Sequence, residues 1–495
     1  MSPANGNRSK VLKASEADVL PKPAMRRALY DAFFTNLAHV LPLVDRKELE
    51  SSDSSVLLQQ AVCLAGSLLR HPNLPDSFSR TNAFYEKVKL LLCLDTEPDM
   101  LSVIKALCIL TLWSPHSPET VSLNGAWHAT GSALRLAIQM GLHQNSTYEA
   151  ASDAKSRRRI WWFLYASDCA HALITGRPPM LRPADFDVSP LTLADFDDQQ
   201  DEAAKYFIAD VSLAHIMGQL ASRLRDQHAD EGEGCILELL VEWIDKLPPE
   251  LNLFSSTGQK NPYSFPATEL HICYFGVVIL SQALTHQREK GWLCSNVCLV
   301  SSACITHLYE EILYREQVAL LTSMHPFWCL IAALPLFYCS TDTASIEKQR
   351  RESLDALRAV IQQLSPRHGL ARTVTRKLLR LDRLRTDIIS QQTTLVGDHP
   401  KLTAIPNHFE KAQHIDELFP QLRMWLASHD VFIQNTILEK VVESIELTER
   451  QSHHEATTEN VHSVFDALGA SAFMDSVFDD NYLDEDFSFD LSPSL

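Results

Sequence analysis

The sequence predicts an all-α protein: a two-lobed helical array with a disordered N-terminal linker and an acidic C-terminal tail. Three observations carry that expectation. Glycine is scarce, 15 of 495 residues, which weakens both glycine-rich phosphate loops and turn-rich β-sandwiches. Leu-rich stretches recur with apolar residues at helical spacing and few β-branched runs. Alternation with period two is hard to find over any useful length. A chain this long exceeds one core and suggests about two or three lobes. Its 45% hydrophobic and 21% charged residues give a globular interior with an ordinary solvated surface.

Residues 1–24 are polar and read as a linker. From Met25 the pattern turns helical: Leu29, Phe33, Leu37 and Leu41 share one face, and Pro42 ends the run. Val56 to Leu69 is apolar on nearly every side, as is Met100 to Trp113, so both are expected to be buried helices. Gly125 to Met140 is amphipathic, with Trp127, Leu134, Ala137 and Ile138 on the apolar stripe. Gly141 stands where a left-handed cap is wanted. Arg157 to Thr175 continues the series until Gly176-Arg177-Pro178-Pro179 breaks it. Helices are expected again at Glu202–Leu224 and Cys235–Lys246.

Leu247 to Pro266 holds four prolines and one glycine, the best internal boundary. Beyond it, Leu270–Thr285, Asn296–Tyr314 and Pro326–Cys339 are apolar helices, and Ile346–Leu364 and Val374–Ile389 amphipathic ones. The expected division is therefore a linker (1–24), a first lobe (25–250), a second lobe (251–440) and a tail (441–495).

The net charge of −18 is uneven. After Arg450 no Lys or Arg occurs, while ten acids follow; the preceding 450 residues carry only −8. An acidic tail on a near-balanced body repels nucleic acid and suits an adaptable protein partner. The eleven cysteines sit mostly inside apolar runs, the usage of small buried hydrophobes in a reducing compartment. Residues 1–20 lack the apolar stretch of a signal peptide. The longest apolar run, Pro326 to Cys339, is shorter than the roughly 20 residues of a membrane span. No membrane partner is expected.

Catalysis finds little support: there is no G-x-S-x-G, H-E-x-x-H, Walker or G-x-G-x-x-G pattern. An enzyme or small-molecule-binding protein on a helical scaffold is the competing class. Cys294, Cys298 and Cys304 lack the C-x2-C pairs of zinc sites and read as core thiols, and His453-His454 as a solvated linker. No catalytic, cofactor-binding or metal-ligating residue is assigned. Arg367 to Arg385 holds seven Lys and Arg against Asp382. Because Val374, Leu378, Leu381 and Ile388 recur at helical spacing, the basic side chains read as the wet face of a packed helix.

The tail is more informative. Phe465, Phe473, Phe478, Tyr482, Phe487 and Phe489 alternate with eight acids between 461 and 495. This is the composition of an activation segment that stays mobile alone and engages a co-activator or the transcription machinery through apolar anchors. A tail docked on the body is the alternative.

Several motifs, in order, carry a resemblance. Ala133 to His143 reads A-x-R-x-A-x-x-x-G-L-H, with Leu134 at the first variable place. Arg157-Arg158-Arg159-Ile160-Trp161-Trp162 with Tyr165 and Asp168 follows. After these come Gly176-Arg177-Pro178 and Asp185-Phe186-Asp187-Val188. Residues 25 to about 340 thereby resemble the regulatory middle domain of fungal binuclear zinc cluster transcription factors. The wording from Asp187 to Phe196 is similar to the branch regulating cutinase and fatty-acid use. The resemblance implies a nuclear regulator of a metabolic or secondary-metabolite gene set. The motif residues are expected to be structural: the tryptophans buried, Arg157 to Arg159 on a wet turn, and Arg177 beside Asp168 in an ion pair or backbone clamp. An effector pocket is the other reading.

The family reads DNA through six cysteines that hold two zinc ions, yet no cysteine precedes Cys63. DNA contact is expected indirectly, through a homo- or hetero-dimeric partner or through a module encoded upstream.

Overall fold

Apolar stripes at helical spacing have to be buried against one another, and in the computed structural model they are. It describes residues 3–69, 78–118, 120–149, 151–197, 202–225, 236–255, 257, 259–285, 295–338, 344–395 and 418–419. Among the described residues fifteen α-helices form and no strand does; two isolated bridges pair Ser114 with His368 and Phe254 with Lys260. The first eight helices are α1 (Pro3–Ser15), α2 (Pro23–Asn36), α3 (Arg46–Glu50), α4 (Val56–Ser67), α5 (Ser79–Cys93), α6 (Met100–Leu110), α7 (Ala126–Gln139) and α8 (Ala154–Thr175). There follow α9 (Glu202–Arg225), α10 (Ile236–Asp245), α11 (Phe265–Thr285), α12 (Asn296–Tyr314), α13 (His325–Tyr338), α14 (Ala344–Leu364) and α15 (Gly369–Leu395).

The helix ends follow local chemistry. Ser55 caps α4 by accepting from the Leu58 amide at 3.1 Å, and Asp99 caps α6 through the amides of Leu101 and Ser102. Gly141 and Gly176 close α7 and α8 with φ of 76° and 65°, the left-handed conformation that costs a side chain most.

Where the opening residues read as a linker, α1 is helical. The segment is tied down just beyond it: Ala17 is buried, and Gln60 on α4 donates to the carbonyls of Ala17 and Val19. Trp127 and Ile138, expected on the buried stripe of α7, are each 39% exposed; Leu134 and Ala137 are buried as expected. The basic stretch is not solvated at its start. Arg367 is buried and donates to the carbonyls of Val318 and Ala319, because its long side chain satisfies a turn that no water reaches. Arg372, Arg376, Arg380 and Arg383 do face solvent.

Two apolar cores meet along one pair of helices. The first gathers Phe33, Leu58, Ile104, Leu134, Trp161 and Phe207; the second gathers Leu213, Trp243, Tyr274, Tyr309, Trp328 and Leu357. Helix α8 gives Ile160 to Cys169 to the first core and Leu173 to the second, and α9 divides likewise between Phe207 and Leu213. Helix α11 is long and apolar enough to cross a membrane by length and composition, a feature the count of unbroken apolar runs overlooked. It is buried inside the second core, packed on α9, α10, α12 and α13.

Candidate functional site

The Arg-Arg-Arg-Ile-Trp-Trp motif falls on α8, the helix shared by both cores, and its three arginines each pair with a carboxylate of this chain. Arg157, Arg158 and Arg159 are not on a wet turn: they occupy the first two turns of α8. Arg157 pairs with Asp153 at 2.7 Å, near solvent. Arg158 reaches Asp195 at 2.6 Å, whose side chain is 4% exposed, and lies over the Tyr148 ring. Arg159, itself 7% exposed, pairs with Asp45 at 3.0 Å and faces Phe196. Each guanidinium thus fastens a different flanking loop to one helix.

Trp161 is fully buried; Trp162 is half-buried and donates to the Ser189 carbonyl at 3.0 Å. Phe186 wedges against Trp161, Trp162 and Tyr165 at centroid distances of 5.3, 5.8 and 5.2 Å, in edge-on geometry. The Asp185-Phe186-Asp187 segment is therefore an anchor for α8. Asp187 accepts from the Asn145 amide at 2.7 Å, while Asp185 is exposed and closes its own turn on Arg182.

Asp168 and Arg177 do not pair. Asp168 is 1% exposed, and its Oδ2 accepts from the amides of Met180 and Leu181 at 2.8 and 2.9 Å. Burial raises its pKa, and the two amides hold it back. Arg177 instead donates to the Pro118 carbonyl at 2.6 Å and stacks over Trp127 at 4.9 Å. The clamp on the turn after Gly176 is thus made by the Asp168 carboxylate, while Arg177 is held by Pro118 and Trp127. Pro178 is exposed in the same turn.

A second polar constellation carries no motif. Glu269 on α11, 3% exposed, accepts from His325 Nε2 at 2.8 Å, His39 Nε2 at 3.2 Å and the Tyr206 hydroxyl at 3.3 Å. Tyr309 donates to His325 Nδ1 at 2.9 Å. Burial would raise the Glu269 pKa, but the bonds from His325 and His39 outweigh it and bring it down to about 2. Asp210 near by is pushed up to about 7, by burial first and by the Glu269 charge second. The Tyr309–His325–Glu269 relay has the order of a nucleophile, base and orienting acid. Its members are 0%, 0% and 3% exposed, and it ties α11, α12 and α13 together.

Among the described residues no group of three or more His, Cys, Asp or Glu is placed to hold a metal ion. Cys298 and Cys304 are buried thiols, while Cys294, the pair His453-His454 and the tail aromatics Phe465, Phe473, Phe478, Tyr482, Phe487 and Phe489 lie outside the described residues.

Residues 30–229, which hold this whole α8 framework, match the model of the fungal specific transcription factor domain. Over these residues the chain is similar to that domain. The chain is also similar to three curated regulators. The acetamidase regulatory protein of Aspergillus fumigatus is 26% identical over 75% of this chain and 50% of its own length. Cutinase transcription factor 1 beta of Fusarium vanettenii is 30% identical over 38% of this chain and 23% of its own. The fusaric acid cluster transcription factor of Gibberella fujikuroi is 25% identical over 74% and 56%. The chain spans about half the length of the curated relatives it matches. No solved structure matches. Within residues 30–229 Arg158 and Arg159, the two tryptophans and Asp168 tie α8 to the segments packed on it.

Proposed function

We propose that this chain is the regulatory body and activation segment of a nuclear regulator of RNA polymerase II transcription, acting on a metabolic or secondary-metabolite gene set. The single observation that carries the reading is the domain match over residues 30–229, reached independently by the ordered motifs from Ala133 to Val188. The names of the relatives, regulators of acetamidase, cutinase and a fusaric acid cluster, support the class of gene. Residues 1–62 contain no cysteine and so do not build a six-thiolate zinc cluster. DNA contact is assigned to a segment or partner subunit beyond these residues.

Residues 461–495 are assigned the contact with the transcription machinery. Eight acids without a base keep large apolar side chains solvated and separate, and chain entropy of about 1–2 kcal/mol per residue opposes a core of their own. The test fuses 461–495 to an unrelated DNA-binding domain and reads a reporter gene. Activation is expected, abolished by Ala at Phe465, Phe478 and Phe487 together and weakened less by Asn at Asp479 and Asp480. An inert fusion, with a body that unfolds when the tail is deleted, contradicts the assignment.

A further inference from the structure

The groove between α5, α6 and the start of α7 is a cleft of about 190 Å³. Its floor is apolar, formed by Leu92, Leu107 and Leu110, and Lys89, His128 and Ser132 stand around it. Most of the polar capacity of these three is unspent. Lys89 Nζ donates once, to the Leu123 carbonyl at 3.2 Å, and makes no ion pair among the described residues. Glu86, whose charge acts on the Tyr85 hydroxyl beside the cleft, does not pair with it either. The side chains of His128 and Ser132 have no partner among the described residues.

Helix α7 begins at the same edge. Its N-cap, Gly125, offers no side-chain acceptor to the first-turn amides, so the positive end of a 14-residue helix is left open beside the Lys89 ammonium. Leu123, which also lines the cleft, is 69% exposed. One end of the cleft thus favours negative charge and the floor favours hydrocarbon.

We propose that this cleft binds a small monocarboxylate, its carboxylate held by Lys89, His128 and Ser132 at the α7 N-terminus and its apolar body laid on Leu92, Leu107 and Leu110. An apolar cavity of about 150 Å³ takes benzene, so the space here suits a body of about six to eight carbons. The site goes beyond the transcriptional reading and is tested without it.

Cys93 lines the same cleft and is exposed, whereas the other described cysteines are buried. Its alkylation by iodoacetamide, followed on the Cys93 peptide by mass spectrometry in the full chain, reports occupancy. The probes are hexanoate and benzoate, with hexylamine and acetate as the cation and the short-chain controls. At ten times its dissociation constant, hexanoate or benzoate should slow alkylation about tenfold by mass action. Hexylamine and acetate at the same concentration should leave it unchanged. Lys89→Met should remove the protection and Lys89→Arg should retain it. Equal slowing by hexylamine, protection that survives Lys89→Met, or no slowing by either carboxylate overturns the proposal. Should Lys89→Met fail to fold, the contrast between hexanoate and hexylamine on the unaltered chain still decides.

Discussion

The Asp168 carboxylate accepts a hydrogen bond at 2.9 Å from the amide of Leu181, thirteen residues ahead, and so closes the turn that leaves α8. Because the same oxygen takes the part-buried Met180 amide, one acceptor atom satisfies two donors. Loss of that atom leaves both unpaired.

Asp168→Ala should therefore lower stability by about 1–3 kcal/mol in urea unfolding. Asp168→Asn keeps an oxygen for the two amides and removes the cost of a buried charge, so it should retain most of the stability at pH 7. Equal losses from Ala and Asn would mean that charge, not the two hydrogen bonds, holds the turn.

The three arginines of α8 should rank by how buried their partners are. Arg158→Met strands Asp195 in the interior and should cost about 2 kcal/mol. Arg159→Met, facing the 43% exposed Asp45 side chain, should cost less. Arg157→Met breaks a partly exposed i,i+4 pair with Asp153, the more exposed partner, and should cost least, about 0.5 kcal/mol. Thermal unfolding of the three single variants checks the order, and a largest loss at Arg157 would contradict it.

Glu269 and Asp210 should give opposite pH signatures. The folded pKa of Glu269, about 2, lies below its ordinary 4.5. Its contribution is thus present above 4.5 and is lost as pH falls towards 2. Glu269→Gln should flatten the acid side of the stability curve and cost stability at pH 7. Asp210 is raised from 3.8 to about 7, so its favourable contribution holds below 3.8 and is lost as pH rises through 7. Asp210→Asn should consequently stabilise the protein at pH 8 by about 2 kcal/mol, allowing for partial exposure, and far less at pH 4. Urea unfolding at pH 3, 5 and 8 separates the two, and parallel curves for wild type and variants would contradict both.

Much of this fold was legible because burial and period coincide. Helix α12 has the bounds its apolar pattern predicts, Asn296 to Tyr314, and Ser295 supplies the cap. Short or polar helices were not legible: α3 has five residues, and α5 hides Phe84, Tyr85, Val88 and Leu91 among charged neighbours. The α8 motif was found from its residue types, but its partners were not. Arg177 meets a carbonyl 59 residues back, and a backbone oxygen leaves no mark in the sequence. The Glu269 cluster joins His39 and His325 across separations of 230 and 56 residues, and each of the three looks ordinary where it stands.

The central claim is that this body, with its acidic tail, acts on transcription once it is brought to DNA by something outside residues 1–495. The most direct measurement tethers the full chain to a reporter promoter through an unrelated DNA-binding domain and compares it with the chain ending at residue 440. The account predicts that the full chain raises reporter transcription and that removal of 441–495 abolishes the rise while the helical body stays folded. A tethered full chain that leaves transcription unchanged, or a truncated one that activates equally, would contradict it.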